Sequence, residues 1–328
     1  MELRPGDIFE GVYEIKRELG SGGMGKVYLA EHHDLQRLAA LKIPKPQILE
    51  DRTTRERFRR EARLMARLHH ENIVSVYDMR WSKNTGYIAL EYIEGLSLLD
   101  YIRRLTPATT LLRDVLGLAH QIARALDYLH KEGIVHRDLK PSNVIVETGS
   151  GRVKILDFGL ARSAATHAST TGGEFRTTTG IVSGTPGYMA PEQMMSPETA
   201  TPAGDVYSFV VMVYQLLSKT LPWEGKGTEL VTAQLYDKPL PLRQRNPRLP
   251  QGLDELFSHG LTFEPADRPK SAGDFLASVV KELGSKMLVL PYYKIVRHEG
   301  ISMEAFEVGA PQFGNVTIQS AMDQLFSA

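Results

Sequence analysis

Apolar positions recur every second residue over 12–30 and 37–43, and again over 74–79 and 86–93, which predicts strands in the first third of the chain. One stretch between them breaks that rhythm. Residues 53–68, TTRERFRREARLMARL, place Phe58, Met65 and Leu68 on one helical face, and Glu61 falls among them, so that acid is expected to point inward. After EGLSLLDYI the period becomes helical. A helix is predicted over 113–133 with Gly133 as its stop, and others near 191–195, 205–218, 228–235, 252–261 and 271–283. The pattern describes an α+β chain with a smaller strand-rich first lobe and a larger helical second lobe. No internal repeat is found.

The longest apolar run, from Phe209 to Leu217 through Tyr214 and Gln215, is far short of the roughly 20 residues that span a bilayer, so it reads as a buried helix. The first residues, MELRPGDIFEGVYEI, lack the layout of a signal peptide. A cytoplasmic location is expected, alone or as the cytosolic part of a longer membrane-anchored chain. Lys plus Arg (39) equals Asp plus Glu (39), which argues against nucleic acid as a partner. With no cysteine in 328 residues, disulfides, thiolate catalysis and Cys-based zinc sites are excluded.

Three motifs carry chemistry. Leu19, Gly20, Ser21, Gly22, Gly23, Met24, Gly25 and Val27 form a glycine-rich loop between two strand patterns. Glycine lets backbone approach phosphate oxygens and leaves N–H groups to donate. Read alone, the loop fits either a phosphate cradle or a flexible hairpin tip. A dinucleotide fold would need a helix straight after the glycines, whereas KVYLAEH continues as strand. Lys42 ends an apolar strand through Ala40 and Leu41. Paired with the inward Glu61, at about 4 Å and an attraction of roughly 4 kcal/mol, it can be held against nucleotide phosphates. The third motif is IVHRDLKPSNVIV, residues 134–146, with LDFGLAR at 156–162. Asn143 and Asp157 suit Mg2+, which takes one or two protein oxygens and fills its shell with phosphate and water. Asp138 can accept a hydroxyl proton and Lys140 can neutralise a phosphate in transfer. His136 reads as a packed core histidine.

Glycine-rich loop, strand lysine, helix glutamate, HRDLKPSN, DFG and GTPGYMAPE stand in one order and at one set of spacings, and residues from about 12 to 283 thereby resemble a eukaryotic-type (Hanks-type) serine/threonine protein kinase of the bacterial branch. The resemblance implies a two-lobed protein-kinase fold, with an N-lobe at about 12–92, a C-lobe at about 96–283, and extensions at 1–11 and 284–328. It implies ATP with Mg2+, or Mn2+ in its place, and Ser/Thr hydroxyls of proteins as acceptors. Adenine would lie between Val27, Ala40 and Ile145, with Leu90 as gatekeeper and the backbone of Glu91 and Ile93 in the hinge. Met65, Val76, Phe158 and His136 would stack into a spine anchored by Asp205. Lys140 and Thr185 resemble Ser/Thr kinases and not tyrosine kinases, and Arg268 would pair with Glu192. One departure is visible: Val210 stands where the family usually has glycine.

Residues 163–185 hold many Ser and Thr and little apolar material. Thr177 and Thr179 stand where bacterial relatives of this family carry activating phosphothreonines, and Arg137 is the expected phosphate partner, since an arginine can bind phosphate bidentately. Thr178 or Ser183 could substitute, and a second copy of the chain would serve for autophosphorylation in trans. A catalytically weak scaffold of this fold is the alternative, although Lys42, Asp138, Asn143 and Asp157 are all present. In the tail, 288–296 reads as a strand or packing segment and 316–328 as a helix.

Overall fold

In the computed structural model the described residues are 2–22, 25–50, 52–81, 86–105, 112–157, 175–177, 180–182, 186–196, 199–284, 293–294 and 306–307. The first lobe is a six-stranded antiparallel sheet in the order β1-β2-β3-β4-β6-β5: β1 Ile8–Phe9, β2 Tyr13–Ser21, β3 Gly25–His32, β4 Arg37–Pro44, β5 Val76–Trp81 and β6 Gly86–Glu91. Helices α1 Pro46–Glu50 and α2 Arg52–Met65 lie between β4 and β5. The segment expected to be an extension therefore contributes the edge strand β1.

Alternation sorts the sheet's two faces, as period two requires. Tyr28, Ala30, Ala39, Leu41, Tyr87 and Ala89 join Phe9, Tyr13 and Ile15 in an outer cluster. From the same strand β6, Ile88 and Leu90 face the opposite way, into a core that includes Met65 and Leu68. Register sets Lys42 opposite Val27 on one side and Ile88 on the other, and Ala40 opposite Leu90. Lys42, Ala40 and Val27 thus share the inner face of the sheet.

The second lobe follows with β7 Gly95–Ser97, α3 Leu98–Arg104, α4 Leu112–Lys131, β8 Val144–Glu147 and β9 Val153–Ile155, where β7, β8 and β9 pair in that order. Helix α4 stops as expected: Gly133 takes φ +71°, and the Ile134 N–H donates to Leu129 O at 2.9 Å, satisfying a terminal carbonyl. Strands β10 Phe175–Thr177 and β11 Gly180–Val182 pair, and five helices follow: α5 Pro191–Met195, α6 Pro202–Ser218, α7 Thr228–Tyr236, α8 Leu242–Arg245 and α9 Gly252–Gly260. Helix α10, Ala272–Gly284, packs on α4. In the tail, β12 Tyr293–Lys294 pairs with β13 Phe306–Glu307. The helix expected over 316–328 lies outside the described residues.

Helix α6 is buried from Gly204 to Leu217, so the apolar run at 209–217 is the centre of the second lobe. Val210 is accommodated there by Gly260 of α9, where a Cβ would stand 3.0 Å from both Val210 methyls. Bulk missing at one position matches bulk present at the other.

Candidate active site

Three supports converge on the cleft between the lobes. The first is the β2–β3 hairpin. Its turn is closed by Gly22 N–H donating to Gly25 O at 2.8 Å. Gly25 is required by packing, because a Cβ would lie 2.1 Å from Ile43 O. At Gly20 and Gly22 a Cβ would meet no protein atom within 4 Å. Packing does not demand those glycines, and the space beside them suits phosphate. Gly23 and Met24 lie outside the described residues. Leu19 is partly exposed at the end of β2, with Val27 across the hairpin.

The second support is Lys42. Its Nζ lies 2.6 Å from Asp157 Oδ1, joining the first lobe's sheet to the residue just past β9. Burial pushes the Asp157 carboxyl up, but the Lys42 ammonium, by charge and hydrogen bond, outweighs it and holds the carboxyl below the usual carboxylate range. Asp157 takes φ +43°, a conformation that a non-glycine residue adopts only when its surroundings impose it. Glu61 is on α2, but its side chain, like those of Phe58 and Phe158, lies outside the described ones. The expected Lys42–Glu61 pair lies there with it.

The third is the loop 136–143, fixed by buried polar contacts. Asp205, 1% exposed on α6, accepts from the backbone N–H of His136 at 2.7 Å and of Arg137 at 2.9 Å. It also meets His130 Nε2 of α4 at 2.8 Å. Two backbone donors on one carboxylate hold Arg137 at φ +69°. His136 is fully buried. Its Nε2 lies 3.0 Å from Leu156 O, so that nitrogen carries the proton, and its Nδ1 accepts from Asp138 N–H at 3.3 Å. The expected packing role for His136 holds, with a hydrogen-bonded one added.

That scaffold presents the chemistry. Asp138 Oδ2 receives Lys140 Nζ at 3.0 Å and Asn143 Nδ2 at 3.1 Å, and the same amide donates to Asp138 O at 2.8 Å. The donors orient the carboxylate. With its nitrogen so used, Asn143 keeps its oxygen, the atom a hard cation takes.

In the hinge, Leu90 is buried, Ile93 is 6% exposed, and Ile145 lies on β8 opposite Lys154 of β9. The Glu91 N–H is committed to Ser75 O at 2.9 Å, and its carboxylate accepts from Ser75 N–H at 3.1 Å and Lys154 Nζ at 2.8 Å. Sequence reasoning missed that nearly buried Lys154 and the His130 contact. In a VKI strand or a YLH helix turn, neither residue carries a signal of its partner.

Arg268 confirms the expected pair with Glu192 through two bonds of 2.7 Å. Its other donors reach Thr262 O, Ala203 O and Phe263 O, so all five guanidinium N–H groups are satisfied at a side chain with no exposure. Nearer the loop, Arg137, Asp138, Lys140, Tyr188, Met189 and Gln193 line a small recess. Thr177 ends β10, where only its backbone is described. Thr178, Thr179, Ser183 and Thr185 lie outside the described residues.

Comparison with known proteins agrees with this geometry. Residues 13–281 match the family model described as the protein kinase domain. Serine/threonine-protein kinase PknA of Mycobacterium tuberculosis is 37% identical over 85% of this chain and 63% of its own length. Serine/threonine-protein kinase PrkC of Bacillus subtilis is 34% identical over 84% of this chain and 41% of its own length. The chain thus spans between about two-fifths and two-thirds of these relatives. Among solved structures, the Mycobacterium tuberculosis PknI kinase domain superposes with a TM-score of 0.65 at 28% identity, covering 86% of this chain and 100% of that one. With strands β2 to β6, the loop held by Asp205 and the Arg268–Glu192 pair all falling inside the matched region, the chain belongs to the protein kinase domain family.

Proposed function

We propose that the chain transfers the γ-phosphate of ATP to Ser or Thr hydroxyls of proteins. The observation that carries this reading is the grouping of Asp138, Lys140 and Asn143 on one locked loop, across the cleft from the Lys42–Asp157 pair. The relatives named above bear serine/threonine-protein kinase in their names, which supports the acceptor class.

Mg2+ fits the donor set, because Asp157 and Asn143 offer a carboxylate and an amide oxygen, and phosphates and water complete such a shell. When bound, the ion neutralises charge on the phosphates. Asp138 receives the proton of the acceptor hydroxyl and orients that oxygen. Lys140, already 3.0 Å from Asp138, supplies positive charge beside the transferred group. Lys42 steadies the phosphates, and Gly20 and Gly22 leave room for backbone N–H donors around them. At the hinge, with the Glu91 N–H used internally, the Glu91 carbonyl and the Ile93 backbone serve adenine.

Activation is assigned to phosphorylation of Thr177 and Thr179 by a second copy of the chain, with Arg137 receiving the phosphate. Arg137 Nε is buried without a hydrogen-bond partner among the described residues, which supports that role. Among the described residues no helix is long and apolar enough to cross a membrane.

Incubation with γ-labelled ATP, Mg2+ and a basic protein tests the reading. Label on serine and threonine is expected; label on tyrosine alone, or none, contradicts it. Phosphosite mapping of the active chain should find phosphate between 163 and 183, and its absence would remove the activation scheme.

A further inference from the structure

Residues 2–12 precede the matched family region, which begins at Tyr13, yet they are bound to the sheet along their length. Strand β1 pairs with β2 at Ile8↔Glu14 and Phe9↔Tyr13. Phe9 is 6% exposed and meets the Tyr87 ring edge-on at 5.7 Å. Gly6 N–H donates to Ile15 O at 2.8 Å, and Ile15 N–H returns a bond to Asp7 O at 2.9 Å. Upstream, Arg4 N–H caps onto Asp7 Oδ2 at 2.7 Å, Leu3 packs on the outer cluster, and Leu3 N–H reaches Tyr28 Oη at 3.4 Å.

The segment ends at the glycine-rich loop. Lys26 follows Gly25 and pairs with Ser21 in the last rung before the turn, and it shares a face with Tyr28 and Ala30. Its Nζ lies 3.0 Å from Glu18 Oε2 of β2 and 3.0 Å from Glu2 Oε1. One ammonium therefore joins both strands of the hairpin to the segment that crosses behind them.

We propose that residues 2–9 form a strap over the outer face of the sheet that sets the position of the glycine-rich loop, with Glu2 acting as a positioning residue through Lys26. The inference rests on reading that loop as the phosphate cradle for ATP. Neither residue touches the reacting atoms. With the strap loosened, the hairpin base gains freedom, the cradle spends less time closed over phosphate, and nucleotide binds less tightly. Once nucleotide is bound, the loop 136–143 is unchanged, so turnover at saturating ATP is preserved.

The test measures binding of a fluorescent ATP analogue, together with KM for ATP and kcat on a basic protein. The proteins are wild type, Glu2→Gln, Lys26→Met, the double variant, and a chain lacking residues 2–7. Each single variant is expected to raise the nucleotide Kd and the KM about two- to fivefold, in keeping with an exposed ion pair. The double variant should be no weaker than Lys26→Met alone, because the two act on one contact. Deletion should raise KM about tenfold, since the Leu3 and Gly6 contacts go too, and kcat should stay within about twofold throughout. Unchanged affinity in every variant, additive losses in the double variant, or a fall in kcat at constant KM would overturn the strap. Should the deleted chain not fold, the surface point variants decide alone. A wild type that binds no nucleotide would take down the cradle reading and the strap together, whereas normal wild-type binding with unaltered variants removes only the strap.

Discussion

The two sides of the cleft are held by opposite means. On the nucleotide side, the β2–β3 hairpin is exposed along β2 from Arg17 to Ser21, and its loop is shaped by absence: open space at Gly20 and Gly22, and one fixed glycine at Gly25. On the transfer side, loop 136–143 is fixed by buried polar groups, with Asp205 at its centre. A cradle must admit and release a nucleotide, so looseness serves it. A proton acceptor, the role proposed for Asp138, must stay within hydrogen-bond reach of one hydroxyl, which a locked loop provides.

That contrast can be broken from either side, and the transfer side should give the largest effects. Asp138→Asn removes the proposed proton acceptor and should lower kcat by about 10²–10⁴-fold, measured by labelled phosphate transfer. Arg268→Met leaves the partly buried Glu192 carboxylate unpaired and should cost about 3–5 kcal/mol, read from denaturant unfolding. His130→Ala removes one of three partners of a buried carboxylate, with an expected cost of about 1–3 kcal/mol and a lower kcat at near-constant KM for ATP. A His130→Gln side chain that restores the donor should recover part of the turnover. A larger effect on KM than on kcat in His130→Ala would erase the proposed division between the sides.

The smallest effect is alkaline. Burial holds the phenols of Tyr207 and Tyr214 above the usual range, and it pushes Tyr188, whose hydroxyl donates to Gln215 Oε1, up to about 12. A folded value above the unfolded one of about 10 means that Tyr188 stabilises fully below pH ~10 and that the contribution fades as pH rises through about 12. Unfolding titrations between those limits should be shallower for Tyr188→Phe than for wild type. Equal slopes would show that Tyr188 is not responsible.

Much of this was legible in the sequence, for reasons that differ by element. Helix α6 and strand β6 are buried on all sides and read as continuous apolar runs, while α4 carries its own stop at Gly133. The site residues on loop 136–143 were legible because several chemistries crowd into a few positions. The partners that hold the loop were less so. Asp205 came only through family resemblance, and His130 not at all, since that contact joins positions 75 residues apart with no local pattern. Strand β1 within the expected N-terminal extension was not legible, because it is two residues long, too short for any period to show. Helix α3 was missed for a similar reason: its seven residues, LLDYIRR, follow a strand with only Ser97 as a cap to announce them.

The most direct measurement compares nucleotide binding and phosphoryl transfer in the same Asp138→Asn protein. Binding of an ATP analogue with a Kd within about twofold of wild type, together with transfer reduced at least about 100-fold, is the predicted result. Transfer near the wild-type level would contradict the role given to Asp138, and loss of binding along with transfer would contradict the separation of the two sides of the cleft.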